Sequence, residues 1–79
     1  MNKERAKQIE GILLAKGWAV QVGQFQGTLQ VGVLAEDNKE IERQIRNSIP
    51  IKTWFKYKIS AQTIHEPNNR MIVSFDAEG

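Results

Sequence analysis

A two-layer α+β sandwich is the fold this chain predicts: a four-stranded antiparallel sheet with both helices on one face, in the order α-β-β-α-β-β. Three observations predict it. Apolar residues recur at helical spacing in two stretches, and each is followed by stretches that alternate apolar and polar. Glycines in one case, and Pro67-Asn68-Asn69 in the other, separate the alternating stretches as hairpins. The length of 79 residues suits one small domain. Residues 1–79 are therefore read as a single unit.

Residues 2–16 read as the first helix. Ala6, Ile9, Ile12 and Leu13 form its apolar stripe, Asn2 can cap its start, and Gly17 stands where a helix-terminating glycine belongs. Lys3, Arg5 and Lys7 oppose the helix dipole, as a solvated face tolerates or as a face toward a polyanion would require.

Residues 18–22 and 28–34 alternate as two strands of a hairpin. Trp18, Val20 and Val22 turn inward, with Leu29, Val31 and Val33 facing them. Pairing Val22 with Leu29 and Val20 with Val31 keeps both sets on one face and leaves Phe25 projecting from the tip.

Residues 38–49 predict the second helix, on the stripe Ile41, Ile45 and Ile49. Asp37 and Glu40 have capping-box spacing, and Pro50 stops the helix. A long strand over residues 51–64 then carries Ile51, Thr53, Phe55, Tyr57 and Ile59 on its core face. Its outer face would carry Lys52, Trp54, Lys56, Lys58 and Ser60. A bulge is expected near 60–62. The last strand, 70–76, turns Met71, Val73 and Phe75 inward, opposite Thr63, Ala61 and Ile59, and residues 77–79 are expected to fray.

The two halves, 1–35 and 36–76, share letters. Asn2-Lys3-Glu4 and Gln8-Ile9 recur as Asn38-Lys39-Glu40 and Gln44-Ile45, and Trp18 and Trp54 keep the same offset. The halves are candidate internal repeats, or two α-β-β units of convergent pattern.

Composition narrows the function. There is no cysteine, hence no disulfide framework and no thiolate metal site. No apolar run reaches the roughly 20 residues that span a bilayer, and Gly11–Ala15 is too short for the core of a signal peptide. The expectation is a cytoplasmic protein that does not engage a membrane. The net charge of +2 is mildly basic.

The predicted outer sheet face gathers Gln21, Gln30, Lys52, Trp54, Lys56, Lys58 and Arg70. Lysines neutralise phosphates, an indole stacks on a base, and glutamines bond base edges. This mixture points to a non-enzymatic module that binds single-stranded nucleic acid, with Phe25 as an additional tip contact. The alternative is a protein–protein interaction module, a homodimer or an inhibitor-like binder, using the same face through Trp54, Ile72 and Phe25. Lysines can also simply protect an edge strand.

An enzyme is the weakest reading. His65 stands beside Glu66 in an expected turn. Glu36, Asp37, Glu40 and Glu42 gather where a helix begins, and no serine has an apparent base. No phosphate loop, metal motif or cofactor motif occurs.

Overall fold

A computed structural model describes all of residues 1–79. Its elements are α1 (Lys3–Ala15), β1 (Ala19–Phe25), β2 (Thr28–Glu36), α2 (Lys39–Asn47), α3 (Ile51–Lys56), β3 (Ser60–Glu66) and β4 (Arg70–Asp76). The strands form one antiparallel sheet in the order β1-β2-β4-β3. The helices cover one face. Ala6, Ile9 and Leu13 from α1, and Ile45 and Ile49 from α2 and its end, bury against Val31, Val33, Met71, Val73 and Phe75. No helix is long and apolar enough to cross a membrane.

Local chemistry explains the helix ends. Asn2 accepts from the Arg5 amide at 2.8 Å, and Gly17 leaves α1 at φ 89. Asn38, not Asp37, caps α2: its side chain accepts from the Glu40 and Ile41 amides at 2.9 and 3.0 Å. Asp37 is instead drawn to His65.

Both hairpins keep the predicted facing but shift register by two residues. Val22 pairs with Val31 and Val20 with Val33. Phe75 pairs with Ala61, Val73 with Thr63 and Met71 with His65. An even shift preserves which side chains face the core, so the pattern alone cannot distinguish the registers. The turns decide. Gln26 and Gly27, at φ 52 and 82, form a two-residue I′ loop. Asn68 and Asn69, at φ 64 and 59, close the three-residue second loop. The pairing of β3 is regular from Ser60 to Glu66, without the expected bulge. The tail is also tied down, since the Glu78 amide donates to the Tyr57 carbonyl at 3.0 Å.

The main correction concerns residues 51–59. They do not extend the third strand; Ile51–Lys56 is a helix. Pro50 caps it, with its carbonyl accepting from the Thr53 and Trp54 amides at 2.9 and 3.2 Å. Lys58, at φ 50, turns the chain into β3. Six residues make too short a helix to stand alone in water, so packing determines it. Trp54 supplies that packing. Its indole meets Phe75 edge-on at 5.8 Å, and its Nε1 donates to the Ile49 carbonyl at 3.1 Å. Trp18 grips the same corner from the other side, its Nε1 donating to Ser48 Oγ at 2.7 Å.

Each half supplies a longer helix, an edge strand and a central strand, and the second half adds the short helix α3. The recurring letters fall on matching roles: Asn2 and Asn38 are caps, and Ile9 and Ile45 are fully buried.

Candidate interaction surfaces

The face of the sheet away from the helices is open. Its side chains follow from the register, because directly paired residues share a face. One row crosses all four strands as Ala19, Leu34, Ile72 and Ile64. The next reads Gln21, Gly32, Ser74 and Gln62. Gly23 and Gln30 follow on one side, Ser60 and Asp76 on the other. The face thus joins an apolar row to a neutral polar one, and charge appears only at its ends.

Side-chain hydrogen bonds hold the polar part in place. Ser74 Oγ donates to Gln30 Oε1 at 2.5 Å, Gln30 Nε2 donates to Thr28 Oγ1 at 3.1 Å, and Thr28 Oγ1 reaches Asp76 at 3.3 Å. Gln30 is therefore occupied at both ends of its amide. A shallow depression lies beside this network, lined by Gln21, Phe25, Gly32, Ile64 and Ile72 among others. Gly32 has a steric reason to be glycine: a Cβ there would come within 3.1 Å of Ile72 Cγ2.

The residues expected to share one site divide between two surfaces. Gln21, Gln30 and Arg70 are on the open face, with Phe25 at the outer end of β1. Arg70, however, sits at the far end, paired with both Glu36 and Glu66, so its charge is flanked by acids. Lys52, Trp54 and Lys56 are on α3, in the helical layer, and Lys58 follows it. Trp54 packs against the core and is no platform on the sheet. A basic, tryptophan-bearing sheet face does not exist.

In its place α3 forms a second surface. Phe55 is 77% exposed and Ile51 67% exposed, with Lys52 and Lys56 beside them. Nearby, the Arg5 guanidinium lies over the Tyr57 ring at 3.5 Å, and Lys58 pairs with Glu78 at 3.6 Å. Sequence reading missed Phe55 and Ile51 because a strand turns them inward, whereas a helix turns them outward together at i and i+4. It also passed over Leu34 and Ile64 on the open face. Their signal was present, since each stands one step out of phase with its inward neighbours.

His65 is in β3 and not in a turn, and its Nδ1 lies 2.7 Å from Asp37 Oδ2. No group of three or more His, Cys, Asp or Glu side chains has metal-binding geometry.

The fold and its uncovered sheet define a small α+β domain with one open β face. Comparison with protein-family models, with curated proteins and with solved structures yields no match for this chain.

Proposed function

We propose that the chain is a non-enzymatic protein–protein interaction module that presents its open sheet face to another protein. One observation carries the reading: the row Leu34, Ile72 and Ile64 is left without a covering layer, bordered by the neutral row Gln21, Gly32, Ser74 and Gln62 on one side and by the charged row Glu36, Arg70 and Glu66 on the other. An apolar core with a polar rim is the anatomy of a protein contact. A polyanion would find no cation at the centre of this face. A cytoplasmic location belongs to the same proposal, since a chain without cysteine loses nothing in a reducing compartment.

The test is capture from a lysate of the source cells on the immobilised chain. Ile64→Lys and Ile72→Lys are compared with Lys52→Glu/Lys56→Glu. The reading expects a protein retained by the parent and by the α3 variant but lost with either open-face variant. Identical capture by all of them would overturn it.

A second reading, single-stranded nucleic acid, rests on α3 in place of the sheet. Its supporting observation is the exposed Phe55 ring between Lys52 and Lys56, with Lys58 beyond. A ring that stacks on a base contributes about 1–3 kcal/mol, and phosphate contacts make affinity fall with salt. A salt series with a labelled random single-stranded oligonucleotide tests it. Binding that weakens steeply with salt and is lost in Phe55→Ala supports this reading, and absence of binding at low salt removes it.

A further inference from the structure

The outer edge of β1 is unprotected. Natural edge strands carry lysine, proline, a bulge or an inward charge that prevents pairing with another chain. The seven residues Ala19–Phe25 carry none of these, and their pairing with β2 is regular throughout. The opposite edge, β3, ends in Glu66 and runs into Pro67. Apolar surface is also left bare on both faces of β1: Val22 is 40% exposed on the helical side and Phe25 41% on the open side.

We infer that β1 pairs antiparallel with β1 of a second copy of this chain, joining two sheets into one of eight strands. The register follows from the hairpin. A two-residue I′ loop closes on a hydrogen-bonded pair, here Phe25 and Thr28. By alternation Gly23, Gln21 and Ala19 also bond toward β2, which leaves the N–H and C=O groups of Val20, Val22 and Gln24 on the free edge. A two-fold axis at Val22 pairs all seven residues of each strand. Val20 bonds with Gln24 of the other copy, and Val22 meets its own counterpart, which covers the exposed valine.

The helices fit the same axis. α1 packs over both β1 and β2. With strands about 4.8 Å apart, the two α1 axes come to lie about 10 Å apart, within the range of packed helices. Lys3, Ala6, Lys7 and Glu10 border the groove that contains Val22. Under the two-fold, Lys3 of one copy comes opposite Glu10 of the other, twice. Neither residue has an ion-pair partner within its own chain. The occupant is therefore a second copy: the edge is uncharged and self-complementary, and Lys3 and Glu10 find opposite charges only across the axis, two attractions against one Lys7–Lys7 contact at its centre.

This interface is separate from the open face and enlarges it. Taken over seven residues of each strand, the four strands span roughly 400 Å² in projection, and eight span roughly 800 Å², the usual area per partner in a stable complex.

The experiment is sedimentation of the full chain from about 10 μM to about 1 mM, with amide exchange read at both ends of the range. The expected result is a rise to twice the monomer mass, with exchange at Val20, Val22 and Gln24 slowing as concentration rises. Val22→Pro removes an edge donor outside the β1–β2 ladder and is expected to give a folded monomer. Lys3→Glu or Glu10→Lys alone is expected to weaken the dimer at least several-fold, and the double reversal to restore it. A monomer at every concentration overturns the inference. So does a dimer that survives Val22→Pro, or one that Ile72→Lys abolishes while β1 amides stay unprotected. That last result would assign self-association to the open face and leave the protein-interaction reading standing.

Discussion

Two adjacent aromatic residues test the helix α3 directly. Trp54 is half-buried against Phe75 with its indole N–H bonded to the Ile49 carbonyl, while Phe55 points into solvent. Full truncation of a buried tryptophan costs about 3–5 kcal/mol, and half burial reduces this to about 2. Stranding the Ile49 carbonyl adds about 1 kcal/mol. Loss of the edge-on pair adds up to about 1 more. Trp54→Ala should therefore lose about 3–4 kcal/mol. A domain of 79 residues has only about 4–12 kcal/mol in all. Its Tm should fall by about 10–30 °C. Phe55→Ala should stay within about 0.5 kcal/mol of the parent. Trp54→Phe keeps a ring on Phe75 and loses the hydrogen bond, so it should fall between them. Urea unfolding followed by far-UV circular dichroism measures all three. If residues 51–59 were a strand, the order would reverse. A cost above about 2 kcal/mol for Phe55→Ala, with Trp54→Ala near neutral, would refute the helix and the loss of the sheet-face site that follows from it.

Other consequences are local. Ser48→Ala removes the acceptor of the Trp18 indole and should cost about 1–3 kcal/mol in the same assay, more than an exposed serine would. Asn38→Ala should cost about 1 kcal/mol because the Glu40 and Ile41 amides lose their cap, whereas Asp37→Ala should not reproduce a capping defect. The Arg43 guanidinium, bonded to Glu40, holds that carboxyl below its ordinary range. The small stabilisation it supplies is present at neutral pH and is lost as pH falls through the lowered pKa. Arg43→Ala should move the Glu40 titration back up, as side-chain NMR would record.

Most of the fold was legible because each half repeats one simple pattern. The stripes Ala6, Ile9, Leu13 and Ile41, Ile45, Ile49 fixed both long helices. The inward sets Val20, Val22 and Met71, Val73, Phe75 kept their facing even though the register slid by two. The stretch after Pro50 was misread for a physical reason. Ile51, Thr53, Phe55, Tyr57 and Ile59 alternate cleanly, but Trp54 and Tyr57 also stand at helical spacing, and a short segment satisfies both periods. Pro50 ends the preceding helix, and proline equally suits the start of another, as it does here for α3. What separated the two was long-range: Phe75, far along the chain, receives the Trp54 ring, and no local signal reports it. The site inherited the error, since Lys52, Trp54, Lys56 and Lys58 were assigned to the sheet by their strand parity. Gln21 and Gln30, on a hairpin whose parity was right, remained on the open face.

Isoleucine methyl groups stand on both competing surfaces: Ile64 and Ile72 on the open sheet and Ile51 on α3. Methyl NMR of isoleucine-labelled chain, titrated with the protein captured from lysate and separately with an oligonucleotide, therefore reads the proposal directly. The interaction account predicts that the captured protein moves the Ile64 and Ile72 signals and leaves Ile51 in place. Movement of Ile51 alone, with Ile64 and Ile72 unchanged, would contradict it.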